Sequence, residues 1–293
     1  MFAKLKAGIL FRSLLKRPDI MKAYKMVGPE DSWYDTISTV HKSLAAIQEL
    51  PREQLQITAC DGCKLHGIYY PGNSERTMIW IHGYTSHAER ESAFPGLFYH
   101  SLGFNVLIPY LRAHGPSEGK YISFGPKEAE DLRQWVNVIN GKHPDGSILF
   151  HGLSMGGGIA LDLAISEMEN VRCFVVDAPS WNITGFLDGV ACHAFKKEGK
   201  AVAEQLLRRY KKEFGADARD YDRLENIKNG RYPMLLSAGS MEDLENILET
   251  IRKNNPMDTR LVILPGCNHG NGMYKQTEMY QSAIRELIED YMK

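Results

Sequence analysis

Three short segments of the chain carry the residue types that nucleophilic acyl chemistry needs. The first reads Phe150-His151-Gly152-Leu153-Ser154-Met155-Gly156-Gly157-Gly158, where an apolar run gives way to small residues and then to a helical pattern. A serine in a tight turn between strand and helix has its hydroxyl forced into the open above the sheet. Side chains two positions to either side would strike backbone, which explains glycine at both. The Met155 N–H opens the helix that follows and points toward negative charge building on a substrate oxygen. The second segment, Trp80-Ile81-His82-Gly83-Tyr84-Thr85-Ser86, closes an apolar strand. A backbone N–H in such a loop, by position that of Tyr84, is what a second oxyanion donor requires, although Gly83 alone also explains a plain strand-to-loop turn. The third segment follows the last apolar run: Leu264-Pro265-Gly266-Cys267-Asn268-His269-Gly270. Among the chain's 10 histidines, His269 stands after the final strand. From there it can swing over Ser154, take its proton during attack and return it to the leaving group.

These residues need a scaffold, and apolar runs alternating with helical patterns from about residue 55 onward supply one. Strands are predicted at 78–81, 105–109, 147–150, 171–176, 234–238 and 260–264, with helices between them at 128–139 and 157–168 among others. Short apolar strands separated by helices predict a largely parallel sheet covered on both faces. Alternating runs at 55–58 and 65–69, joined through Asp61-Gly62, predict an antiparallel hairpin at one edge. Residues 181–231 break the alternation and read as helices rich in charge, including Lys196, Lys197, Lys200, Arg208, Arg209, Lys211 and Lys212. Such an insertion either sits over the crevice at the strand C-termini, where ligands bind, or forms a solvated helical pair with no ligand role.

Composition excludes other classes. The 293 residues are 43% hydrophobic and 24% charged, values of a folded globular chain rather than a disordered one. A net charge of −1 leaves no excess of cations for a nucleic-acid partner. Five cysteines cannot all pair within one chain. Cys60 and Cys63 form a C-x-x-C, but no second pair completes a zinc site, so incidental thiols in a hairpin and a reducing cytoplasm are expected. No stretch reaches the ~18 apolar residues of a spanning helix. At the N-terminus, Phe2, Leu5, Ile9, Leu10, Phe11, Leu14 and Leu15 recur at near-helical spacing among Lys4, Lys6, Arg12, Lys16 and Arg17. That helix either rests on an anionic membrane or docks its stripe on the domain or on a partner subunit.

Taken with Leu111-Arg112-Ala113-His114-Gly115-Pro116-Ser117-Glu118-Gly119, which is similar to an Arg-Gly-His-Gly-x-Ser run, these segments resemble the α/β-hydrolase superfamily, in its group of bacterial esterase-like serine hydrolases. The resemblance covers about 55–180 and 232–293. It implies an α/β-hydrolase fold with a mostly parallel wound sheet, helices on both faces and a small helical cap. The chain then divides into an N-terminal helical extension (1–50), a core (51–180 and 232–293) and a cap insertion (181–231). It also implies a Ser-His-acid triad working through an acyl-enzyme, with no cofactor and no metal. Arg112 and His114 are expected to shape a loop rather than to touch substrate. The family pattern sets the acid three residues after a glycine, which here lands on Glu242, while residue type favours Asp243. Ser240 and Asp243 also fit a helix capping box, and Asp177 after the 171–176 strand is a third candidate.

The expected reaction is hydrolysis of a small or medium carboxylic ester, with Ser154 attacking and the N–H groups of Tyr84 and Met155 holding the oxyanion. The same machinery serves thioesterases, peptidases and acyltransferases, and a hydrolase fold can act as a non-catalytic binding protein.

Overall fold

The apolar runs pair as strands because β-rich segments buried on both faces have their backbone groups satisfied only by one another. In the computed structural model, which describes residues 2–18 and 30–293, eight strands form one sheet in the order β1-β2-β4-β3-β5-β6-β7-β8. They are β1 (Glu53–Thr58), β2 (Lys64–Tyr70), β3 (Arg76–Ile81), β4 (Asn105–Pro109), β5 (Ser147–Leu153), β6 (Val171–Asp177), β7 (Met234–Gly239) and β8 (Thr259–Leu264). β1 and β2 are the antiparallel edge hairpin, β2 pairs antiparallel with β4, and every later pairing is parallel. β5, between β3 and β6, is buried along its whole length, and Ser154 follows its C-terminal end.

Two apolar layers cover the sheet. One face meets α3 (Ala88–Ser101) and, at the far end of the chain, the helix Thr277–Tyr291, with Trp80, Tyr99, Val106, Leu149, Val175 and Tyr280 in its core. The other meets α4 (Pro126–Lys142) and α5 (Met155–Leu163), with Ile79, Leu107, Trp135, Phe150, Ile159 and Phe174 between them. The helix expected over 157–168 is displaced: it starts at Met155 and stops at Leu163. Past its end the Ala164 carbonyl accepts the Arg231 N–H at 2.9 Å, and the Leu163 carbonyl accepts the Ser166 N–H at 3.2 Å.

The insertion folds as α6 (Ile183–Phe195) and α7 (Gly199–Phe214), closed at its base by a single bridge between Asn182 and Asp222. Of the N-terminal extension, α1 (Phe2–Leu15) packs Ala7, Leu10, Phe11 and Leu15 inward, with the Phe11 ring 5.0 Å from Tyr121 and 6.1 Å from Phe214. A second helix, α2 (Ile37–Gln48), lies against α3. The stretch of the extension at 19–29 lies outside the described residues. All five cysteines are free thiols. Among the described residues no helix is long and apolar enough to cross a membrane.

Candidate active site

Ser154 follows β5 directly and has φ 60° and ψ −114°, a conformation that non-glycine residues rarely adopt. The flanking glycines permit it. A Cβ on Gly152 would lie 2.3 Å from the Gly156 carbonyl oxygen, and one on Gly156 would lie 1.9 Å from that of Ile81. The turn is held at its base by the Ser154 N–H, which donates to the Asp177 carbonyl at 2.9 Å. Met155 begins α5, so its N–H has no carbonyl one turn earlier in the helix to bond.

The Ser154 hydroxyl lies 2.9 Å from His269 Nε2, and His269 Nδ1 lies 2.6 Å from Glu242 Oε2. Since a carboxylate only accepts, Nδ1 carries the proton and Nε2 is left to accept from the serine. Glu242 is itself fixed: its second oxygen accepts the Gly239 N–H at 3.0 Å, and its side chain is 10% exposed. The hydrogen bond from His269 to Glu242 raises the imidazole pKa above its ordinary value, against the opposing effect of burial. The loop carrying His269 is tied down by Asn271, whose Oδ1 accepts the Asn268 N–H at 2.8 Å and whose amide donates to the Ser32 carbonyl at 3.0 Å.

Of the three carboxylates expected to compete for the histidine, Glu242 is the one bonded to it. Asp243, one residue on, lines the same pocket. The capping box expected of Ser240 and Asp243 does not form: the Ser240 hydroxyl accepts the Gly266 N–H at 2.9 Å, and α8 (Glu245–Asn254) opens with no side-chain cap. Asp177 is buried behind the elbow and accepts from the Tyr280 hydroxyl at 3.1 Å. Burial pushes its carboxyl up to about 7. Arg112 and His114 are likewise buried and lie away from the pocket. Arg112 forks onto Asp131 with two bonds of 2.7 Å, and His114 Nδ1 donates to the Arg112 carbonyl at 3.0 Å.

The Gly83–Tyr84 loop passes close to the serine, since a Cβ on Gly83 would lie 3.6 Å from Ser154 Cβ. Its anchor is Glu91 on α3, whose carboxylate accepts the Gly83 N–H at 2.9 Å and the Trp80 indole N–H at 3.1 Å. The Tyr84 hydroxyl donates to the Leu14 carbonyl of α1 at 2.5 Å, and its ring meets Phe124, which in turn meets Phe186 of the insertion.

A pocket of about 420 Å³ opens over these groups, lined by Ser154, His269, Glu242 and Asp243 on the core side. The strand-to-insertion segment contributes Trp181, Asn182, Gly185 and Phe186. None of the insertion's lysines and arginines lines it. Arg223, fully buried at the end of the insertion, forks onto Asp162 of α5 at 2.9 and 2.7 Å and also donates to the carbonyls of Ser180 and Phe124. Glu91, Asp162 and Arg223 thus hold the site without belonging to any motif. Only Asp162 gives a sequence signal, as a lone acid in an otherwise apolar helix.

Residues 72–228 match the family described as serine aminopeptidase, S33. YqkD of Bacillus subtilis, a protein described as uncharacterized, is 25% identical over 261 residues, covering 85% of this chain and 83% of that one. The structure of the esterase Pf2001 of Pyrococcus furiosus superposes with a TM-score of 0.65 at 26% identity, covering 92% of this chain and all of that one. Est1E of Butyrivibrio proteoclasticus, solved with ferulic acid bound, superposes with a TM-score of 0.60 over 80% of this chain; at 19% identity that likeness speaks to the fold alone.

Proposed function

The chain belongs to the serine aminopeptidase S33 family of α/β-hydrolase enzymes, and from that membership we propose that it hydrolyses a carboxylic ester with Ser154, His269 and Glu242 as its triad. The observation that carries this reading is the unbroken line from the Ser154 hydroxyl through His269 to Glu242, opening on the pocket. His269 takes the serine proton as Oγ attacks the acyl carbon. The charge that moves to the carbonyl oxygen is met by the N–H groups of Met155 and Tyr84. Collapse of the tetrahedral intermediate expels the alcohol, protonated by His269, and leaves an acyl-enzyme that water cleaves by the same steps.

Residues 181–231 act as a cap, with Trp181 and Phe186 forming an apolar wall beside the serine. A volume of about 420 Å³ suits a small or medium acyl group better than a long chain. The esterase Pf2001, similar over nearly the whole chain, supports an ester over an amide as the scissile bond. Five unpaired thiols support a reducing, cytoplasmic setting.

The test is turnover of p-nitrophenyl esters of graded chain length beside aminoacyl p-nitroanilides, with fluorophosphonate labelling of the serine. Ester cleavage that disappears in Ser154→Ala is expected. Preference for the anilides would replace the esterase reading by a peptidase one, and a folded protein that neither labels nor turns over would end it.

A further inference from the structure

The α1 helix buries one stripe and leaves a second apolar one in solvent. Phe2, Leu5 and Ile9, spaced so that they share one side of the helix, are 72%, 62% and 54% exposed. They are not the residues that dock α1 on the protein, which are Ala7, Leu10, Phe11 and Leu15. Large apolar side chains gathered on one exposed strip mark a contact surface.

What covers that strip is indicated by the charges around it. Arg12 and Lys16 continue the exposed side of α1 toward its C-terminus. On the flank of α1 that meets α7 lies a cavity of about 440 Å³ lined by Lys4, Ala7, Gln205, Arg208, Arg209 and Lys212, with Glu213 the single carboxylate. Among the described residues Lys4, Arg208 and Lys212 have no ion-pair partner. Arg209 stacks its guanidinium on the Phe11 ring at 4.7 Å, and its Nε is buried with no acceptor. A chain of net charge −1 has thus gathered cations along and on the flank of the helix that carries the exposed apolar strip, the pattern of a helix that rests on an anionic bilayer.

We propose that the α1–α7 face is a docking surface for an anionic phospholipid membrane. Phe2, Leu5 and Ile9 enter the acyl boundary, and the Lys4, Arg208, Arg209 and Lys212 cavity receives phosphate headgroups. The α1 helix lies along the membrane plane, and on its protein side the Leu14 carbonyl accepts the hydroxyl of Tyr84, in the loop beside Ser154.

The experiment is co-sedimentation of the full chain with vesicles of phosphatidylcholine alone and of phosphatidylcholine mixed with phosphatidylglycerol. Binding to the mixed vesicles is expected to exceed that to the neutral ones by at least about tenfold and to weaken with added salt. The pair Arg208→Glu/Lys212→Glu should lose more than about tenfold, at roughly fivefold for each cation removed from the surface, and the triple variant Phe2→Ser/Leu5→Ser/Ile9→Ser should lose at least as much through its missing apolar insertion. All these positions lie outside the pocket, so both variants should keep their circular dichroism and their turnover of a soluble ester, if the wild type has one. Failure to bind either vesicle, or equal binding by wild type and variants, overturns the proposal. A dimer in analytical ultracentrifugation that the triple variant abolishes, without vesicle binding, assigns the face to a second copy instead.

Discussion

His269 Nδ1–H donates a hydrogen bond to Glu242 at 2.6 Å and not to the adjacent Asp243, although an aspartate is the residue type expected at this place. The turn after β7 explains the choice: the Glu242 N–H returns to the Gly239 carbonyl, and its carboxylate is clamped by the Gly239 N–H. The longer side chain then reaches the imidazole. Glu242→Gln should lower kcat/KM on a p-nitrophenyl ester by about 10³–10⁴-fold, the range for losing a triad acid. Asp243→Asn and Asp177→Asn should stay within about threefold of wild type, since a retained fold with an intact Glu242–His269 bond keeps the base oriented. A large loss in Asp243→Asn with an unaffected Glu242→Gln would reverse the assignment.

The same bond sets a pH dependence. Attack requires neutral His269, and its pKa is raised, chiefly by the hydrogen bond to Glu242. Activity should therefore fall as pH drops through a value above that of an ordinary histidine. In Glu242→Gln the acid limb of the residual activity should move to lower pH. Stability follows the same sign. A raised folded pKa contributes stability that is fully present below the unfolded value and is lost as pH rises through the folded one. Thermal melts of Glu242→Gln should thus fall further below wild type in acid than in alkali.

The scaffold and the Ser154–His269 pair are legible in the sequence because each leaves a local mark. Buried strands such as β5 read as continuous apolar runs, and the elbow needs glycine at 152 and 156 for steric reasons visible as collisions with Gly156 and Ile81. His269 was legible from its place after β8. The acid was ambiguous because residue type and chain geometry disagree by one position, and only the Gly239–Glu242 turn decides which side chain faces the imidazole. The end of α5 is not legible locally, since the carbonyl just past it, that of Ala164, is taken by Arg231 from far along the chain. Glu91 and Arg223 were invisible for the same reason: their partners are backbone groups and side chains brought close only by the fold.

Glu91 anchors the Gly83–Tyr84 loop, which the proposed mechanism uses for an oxyanion donor. It accepts the Gly83 N–H and the Trp80 indole, and burial pushes its carboxyl upward. Glu91→Ala frees the Gly83–Tyr84 backbone, and displacement of one oxyanion donor should reduce kcat by roughly 10²-fold with KM little changed. Glu91→Gln keeps an acceptor for Gly83 and should recover most of that loss. Steady-state kinetics of the two variants, with melting curves to confirm folding, separates positioning from general destabilisation: the latter would lower the active fraction without restoring activity in the glutamine variant.

Arg223 ties the 181–231 insertion to α5. Its guanidinium is 1% exposed and is satisfied by Asp162, by the Ser180 carbonyl and hydroxyl, and by the Phe124 carbonyl. Removing one partner of a buried pair leaves the other charge without compensation, so Arg223→Ala should cost about 3–5 kcal/mol in urea unfolding. Two carbonyls lose their donor as well, and one of them belongs to Ser180, which lines the pocket. The double variant Arg223→Met/Asp162→Leu removes both charges and keeps volume, so it should be more stable than Arg223→Ala alone. Activity separates the two roles. If Arg223 also holds the cap over Ser154, the double variant regains stability while its KM stays raised; recovery of both together would reduce Arg223 to a stabilising residue.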